Sequence, residues 1–154
     1  MKDKHEHLIT IENIGFLLGK SSAIKDRLLE KHLLNANLEE EITGCQAKVL
    51  FQIYKFESYR HAEIGKMLNV DKSNITRMVD RLEKKDLLQR KVDPDDRRSS
   101  LLFLTAKGKA LVQQCLPLAE QAFTELEQGL TETEKVQLHS ILKKIITSSL
   151  NEQD

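Results

Sequence analysis

Apolar residues recur at three- and four-residue steps through the first third of the chain, at Leu8, Ile11, Ile14, Leu17, Leu18, Ile24, Leu28 and Leu29. That period puts them on one stripe of a helix, so residues 8 to about 34 are expected to form a single long amphipathic helix. Asn35 to Glu41 interrupts the pattern. Thr43 followed by Gln46 has the form of a capping box, and Ala47, Leu50, Ile53 and Tyr54 give a second helix its apolar face as far as about Phe56. A short third helix is expected over residues 61 to 68, with Ile64, Met67 and Leu68 inward; Arg60 is a poor N-cap for it. Asn69-Val70-Asp71 then connects to a fourth helix, Lys72 to Lys85, which Asp71 can cap and whose Ile75, Val79 and Leu82 share one face. The pattern changes over residues 87 to 105, where two strand-like runs, 87–92 and 99–105, flank the turn Asp93-Pro94-Asp95-Asp96-Arg97-Arg98 and predict a β-hairpin with a charged tip. Thr105 caps a fifth helix to about Gln128, kinked at Pro117 and ended by Gly129. Thr131 and Glu134 form another capping box, and Leu138, Ile141, Leu142, Ile145 and Ile146 make the last helix one-sided up to Leu150.

Composition agrees with a helical chain. Of 154 residues 40% are hydrophobic, 31% charged and 5% aromatic, with 6 Gly and 2 Pro, which disfavours both an all-β sandwich and a disordered tail. The fold class is therefore mostly α with a small β element. No apolar run approaches the ~20 residues of a membrane span, and Met1 to His7 is polar, so a cytoplasmic protein without membrane association is expected. Cys45 and Cys115 lie far apart without CxxC spacing, which excludes a disulfide scaffold or a four-ligand zinc site. The histidines at 5, 7, 32, 61 and 139 show no ligand spacing, and no catalytic triad, P-loop or dinucleotide fingerprint is present. Neither an enzyme nor a cofactor nor a metal is expected.

The zero net charge is unevenly spread. Residues 72 to 109 carry 11 Lys/Arg against 6 Asp/Glu, residues 110 to 154 carry 3 against 7, and residues 1 to 44 carry 6 against 8. A basic middle between acidic ends concentrates attraction for a polyanion on one region, although a solvated face of scattered charges would look alike. Short helix, tight turn and second helix form a helix-turn-helix pattern. The polar face of its second helix carries Ser73, Asn74, Arg77, Arg81 and Lys84, residue types that bond phosphates and base edges in a major groove. A ribbon directly after such a helix is the wing of a winged helix, and an arginine at its tip suits a narrow minor groove. The plainer alternative is a solvated turn in which Asp96 and Arg98 simply pair. The apolar stripes of the terminal helices need a partner, either a second copy of the chain or the rest of their own domain.

Thr43-Gly-Cys-Gln-Ala-Lys-Val-Leu50, Glu63-Ile64, Leu68-Asn-Val-Asp71-Lys-Ser73-Asn-Ile-Thr76-Arg77-Met-Val-Asp80-Arg81-Leu82, Arg90, Asp93-Pro-Asp-Asp96-Arg-Arg98 and Leu104-Thr105-Ala-Lys-Gly108 together resemble the MarR family of bacterial transcription regulators. The resemblance is specific over residues 43 to 108 and extends to the flanking helices in length and pattern. It implies a homodimer in which residues 1–38 and 109–154 form an interlocked helical dimerisation region and residues 42–108 a winged helix-turn-helix. It implies a repressor that occupies a palindromic operator, commonly its own promoter and that of an efflux or detoxification gene, and is released by a small aromatic or anionic effector. The implied major-groove residues are Lys72, Ser73, Asn74, Thr76, Arg77 and Arg81, with Lys84, Arg90 and Lys91 on phosphates. Arg97 and Arg98 belong to the wing, where Asp96 is expected to orient Arg98, and Asp71 is a further candidate partner of the wing arginine. Helix facing suggests Phe16, Lys20, Ala47 and Phe51 for the effector.

The chain also departs from the family pattern. Asp86 stands where glycine usually follows the recognition helix, and is expected to adopt the left-handed conformation at some cost. Arg60 replaces a capping hydroxyl. Gly15 stands in the stretch where the peroxide-sensing branch carries its reactive cysteine, so that chemistry is not expected, and Cys45 and Cys115 read as small helical residues rather than a redox switch. Two alternatives stay open at this level: a winged helix that docks a protein, and a thiol- or metal-responsive variant of the regulator.

Overall fold

A computed structural model describes residues 13–151. In chain order the elements are α1 (Ile14–Asn35), α2 (Gly44–Phe56), β1 (Tyr59–Arg60), α3 (His61–Leu68), α4 (Lys72–Lys84), β2 (Leu88–Val92), β3 (Ser100–Leu104), α5 (Ala106–Glu127) and α6 (Glu132–Asn151). The fold is mostly α with a three-stranded antiparallel sheet in the order β1-β3-β2.

The expected first helix is interrupted at Asn13. Asn13 has an extended backbone and its side chain accepts from the Phe16 amide, so α1 starts at Ile14; the expected residues Leu8 and Ile11 lie outside the described residues. The Asn13 cap offsets an orphan amide at the helix start. The capping box at Thr43 is present, with its hydroxyl accepting from Gln46 N–H at 3.2 Å and the Gln46 side chain accepting from Thr43 N–H at 2.9 Å. Glu30 on α1 accepts from the Gly44 amide, which fixes the corner between α1 and α2. Ala47, Leu50 and Ile53 are buried as expected, but Tyr54 faces out and Val49 takes a core position.

The core joins α2, α3, α4, the sheet and the buried stripe of α5 around Leu50, Ile53, Ile64, Val79, Leu82 and Leu102. In α3 only Ile64 is buried, while Met67 stays exposed and Leu68 half-buried. Asn69 ends α3 in the left-handed conformation and Asp71 starts α4 by accepting from the Asn74 amide at 3.0 Å. After α4, Asp86 adopts φ 57°, the left-handed exit expected where glycine is usual, and Leu87 N–H closes the helix end on Leu82 C=O at 3.0 Å.

The hairpin has the expected strands, with Leu88 opposite Leu104 and Val92 opposite Ser100. The third strand was not expected: Tyr59 and Arg60 pair with Leu102 and Leu101, so the chain segment before α3 belongs to the wing sheet. α5 runs from its Thr105 cap to Glu127 with Pro117 inside it, and packs along α1. The Thr131–Glu134 capping box forms at the start of α6. No side chain of α6 between Glu132 and Ser149 is buried, and Val136, Ile141 and Ile146 are 70%, 54% and 60% exposed. Ile14, Phe16, Leu17 and Leu18 of α1 are exposed as well, as are Leu116 and Phe123 of α5. An apolar surface of this extent, contributed by three helices, is what a packed partner removes from water. No helix among the described residues is long and apolar enough to cross a membrane.

Candidate nucleic-acid interface

α4 buries Ile75, Val79 and Leu82 and therefore turns its opposite face to solvent. Lys72, Ser73, Asn74, Arg77, Arg81 and Lys84 are exposed on that side and Thr76 is half-buried. Asp71 is fully engaged at the helix start, accepting from the Ser73 hydroxyl at 2.6 Å, the Asn74 amide and the Asn74 side chain. The Ser73 and Asn74 hydrogen bonds hold its carboxyl below the usual carboxylate range. Asp71 is thus a cap and pairs with no wing arginine.

The ion pairs decide which cations are available. Lys85 and Lys107 both reach Glu40, Lys48 reaches Asp26, and Lys31 reaches Glu125. In contrast Lys72, Arg77, Arg81, Lys84, Arg97 and Arg98 enter no ion pair among the described residues. These six lie on the outer face of α4 and at the wing tip, so the charge of both elements is free to meet an external anion, whereas Lys85 just past the end of α4 is held by Glu40. Lys72, Lys66 and Arg98 also border a cleft of about 440 Å³ between α3, α4 and the wing.

Arg90 corrects an expectation. Its guanidinium donates to Asp80 at 2.5 Å and lies 2.9 Å from Glu83, both on α4, so it is not a free phosphate contact. The Arg90 hydrogen bond holds the Asp80 carboxyl below its usual range. Asp80 would otherwise set a bare negative charge among the cations of α4; Arg90 neutralises it and ties β2 to the helix. Lys91 sits over the Phe103 ring at 4.9 Å, a cation–π contact that leaves part of the ammonium to solvent.

At the wing tip, Asp96 Oδ1 accepts from the backbone N–H of Arg98 at 3.0 Å, and Ser99 N–H donates to Asp96 C=O at 2.8 Å. Asp96 therefore sets the backbone at Arg98 rather than gripping its guanidinium, and the two side chains do not pair. The residue that sequence reasoning missed is Asp93. It is 1% exposed, accepts from the Asp95 amide at 3.0 Å, and takes Arg60 Nε at 2.9 Å. The Asp-Pro-Asp turn hints at a side chain bonding two residues ahead; its cation comes from 33 residues upstream, which no local pattern reveals.

Phe16 and Lys20 are exposed on α1, Phe51 is half-buried, and Ala47 is fully buried in the core. The structure does not bring these four into the clefts described here. A cleft of about 670 Å³ between α2, β3 and α5 is instead lined by Tyr54, Glu57, Phe103, Lys109 and Gln113, with Ile53 behind. Burial pushes the Cys115 thiol up to about 11 and raises that of Cys45, so neither is a thiolate at neutral pH. No cluster of metal-ligating side chains occurs among the described residues.

A helix-turn-helix followed by a three-stranded wing, with free cations on the second helix and the wing tip, defines a winged-helix protein. Residues 42–100 match the MarR family model. The chain is 35% identical over 147 residues to the multiple antibiotic resistance protein MarR of Escherichia coli K12, covering 95% of this chain and 99% of that protein. It is 30% identical over 141 residues, 91% of this chain and 86% of the relative, to the HTH-type transcriptional repressor NicR of Pseudomonas putida. The crystal structure of a mutant E. coli MarR complexed with operator DNA superposes with a TM-score of 0.76 at 35% identity, over 93% of this chain and 98% of that one. Bordetella bronchiseptica BpsR, whose DNA binding is regulated by 6-hydroxynicotinic acid, matches with a TM-score of 0.72 at 26% identity, over 86% and 97%. This chain belongs to the MarR family of transcriptional regulators, which are not enzymes.

Proposed function

We propose that the protein is a transcriptional repressor that binds a palindromic operator as a homodimer and leaves it when a small aromatic or anionic effector binds. The observation that carries the reading is that Lys72, Arg77, Arg81 and Lys84 on the outer face of α4 and Arg97 and Arg98 at the wing tip enter no ion pair among the described residues, which leaves six free cations on two neighbouring elements. Lys72, Ser73, Asn74, Thr76, Arg77 and Arg81 face the major groove in this reading, with Lys84 and Lys91 on phosphates and Arg97 and Arg98 at the minor groove. The operator complex of the E. coli relative supports it. Competition between base-substituted duplexes tests it. Arg77→Ala is expected to weaken operator binding by about 1 to 3 kcal/mol with an altered base preference, whereas Lys84→Ala weakens all sequences alike. An equal loss for Arg77→Ala on operator and random DNA would remove Arg77 from base reading.

The dimerisation region is assigned to residues 1–38 and 109–154 around the winged helix at 42–108, because the uncovered apolar side chains of α1, α5 and α6 belong to it. Two recognition helices must meet half-sites about one helical turn, ~34 Å, apart, and a monomer lacks the second contact. Truncation after Leu130 is expected to give a monomeric or insoluble chain with sharply reduced operator affinity, read by light scattering and duplex titration. A folded monomer with full affinity overturns the dimer assignment. For the effector, the cleft between α2, β3 and α5 offers the Lys109 ammonium beside the Tyr54 and Phe103 rings, which suits an aromatic acid. The regulation of BpsR by an aromatic acid supports that ligand class.

A further inference from the structure

Arg60 occupies an unusual junction. It is the second residue of β1, paired with Leu101 of the wing strand β3, and it is also the residue at the N-cap of α3, where its side chain makes no capping bond. Its guanidinium is turned instead to the wing loop, with Nε 2.9 Å from the Asp93 carboxylate and Nη2 3.8 Å from that of Asp95. Asp93 is buried, so its charge requires a partner, and Arg60 is the cation that supplies one. Asp93 in turn holds the loop that ends in Arg98: its carboxylate accepts from Asp95 N–H and its own amide donates to Ser99 C=O at 3.1 Å.

We infer that Arg60 is a positioning residue for DNA binding: through Asp93 it locks the wing loop to the helix-turn-helix, so that Arg98 and the recognition helix meet the duplex in one fixed relation. This rests on the operator-binding reading above. It also accounts for an acidic tip on a surface meant for a polyanion. Asp93 is neutralised by Arg60, Asp95 lies 3.8 Å from the same guanidinium, and Asp96 is used on the backbone of Arg98, so the acidic residues serve to shape the loop that presents Arg98. Arg60 itself touches no base or phosphate in this account; its effect is exerted on where Arg98 stands.

A double-mutant cycle on the full-length protein separates this role from a contribution to stability, with affinity for a selected operator duplex measured well below the unfolding temperature. In the native background Arg98→Ala lowers affinity. In an Arg60→Ala background, where the wing is no longer held, the same Arg98→Ala change is expected to cost at least about tenfold less. Arg60→Lys, which keeps a cation beside Asp93, is expected to restore the contribution of Arg98 to within about threefold of the native value. Hydroxyl-radical protection of the outer minor grooves should fade in Arg60→Ala while protection of the major-groove half-sites persists. Equal Arg98 increments in both backgrounds overturn the inference, because a residue that acts only on folding leaves that increment unchanged. If Arg98→Ala costs nothing in the native background, the wing contact of the operator reading itself fails, and this inference falls with it. Should Arg60→Ala not fold, Asp93→Asn takes its place under the same criterion, since the amide oxygen still accepts from Asp95 N–H while the ion pair is lost.

Discussion

Gly108→Ala should destabilise the protein by at least about 3 kcal/mol and lower its melting temperature by roughly 10 °C at fixed protein concentration. The reason is a contact between backbones. A Cβ at position 108 would lie 1.9 Å from the carbonyl oxygen of Leu87 and 2.9 Å from its carbonyl carbon, and neither atom is the end of a flexible side chain. Leu87 cannot withdraw easily. Its amide closes the end of α4 on Leu82, its carbonyl accepts from Thr105 N–H at 3.2 Å, and its side chain is fully buried. The Thr105 hydroxyl adds two bonds at the same place, donating to Asp86 C=O at 2.6 Å and accepting from Gly108 N–H at 3.0 Å. The first turn of α5 is thereby pressed onto the junction between the recognition helix and the wing. Alanine would lever these elements apart, so operator affinity should fall together with stability. Calorimetry and duplex titration on one preparation check both; a melting temperature within about 2 °C of the native protein would show that the junction is softer than its geometry indicates.

Arg98→Ala is expected to lower operator affinity by about 2 to 4 kcal/mol, and Asp96→Ala to weaken binding by about 0.5 to 1.5 kcal/mol although it removes a negative charge. The sign for Asp96 is the informative part. On Coulomb attraction alone, deleting a carboxylate from a DNA-facing loop tightens binding, most of all at low salt. In the structure Asp96 accepts from the Arg98 amide and its carbonyl accepts from Ser99, so its side chain selects the loop conformation from which Arg98 projects. Losing that bond spreads Arg98 over several directions and adds an ordering cost to binding. Titration at two salt concentrations distinguishes the accounts. Tighter binding of Asp96→Ala at low salt, with unchanged sequence preference, would reduce Asp96 to a repulsive surface charge.

Much of the interface was legible in the chain. The exposed face of α4 follows from the burial of Ile75, Val79 and Leu82, because helix geometry places Arg77, Arg81 and Lys84 opposite them once those three are committed to the core. The left-handed exit at Asp86 and the caps at Thr43, Asp71, Thr105 and Thr131 were equally readable, since each joins groups only a few residues apart. The partners of the charges were not. Arg90 looks like a free cation until β2 is laid against α4, and Arg60 looks like a faulty cap until β1 joins the wing sheet.

The sequence by itself determined the order of the helices and of the two hairpin strands, the caps at Thr43, Asp71, Thr105 and Thr131, the side of α4 that meets solvent and the fold family, but not the third strand β1. Each of these depends on contacts within a few residues or on hydrophobic period, and both are local quantities. Tertiary structure alone decided which charges are free, that Asp93 is buried and held by Arg60, and why position 108 admits only glycine. Those properties arise where segments distant in sequence are brought within a few ångströms, and electrostatic and steric energies vary steeply over that distance. A pattern of residue types therefore names the charged groups, but only the packed chain sets which of them neutralise one another and which remain to meet DNA.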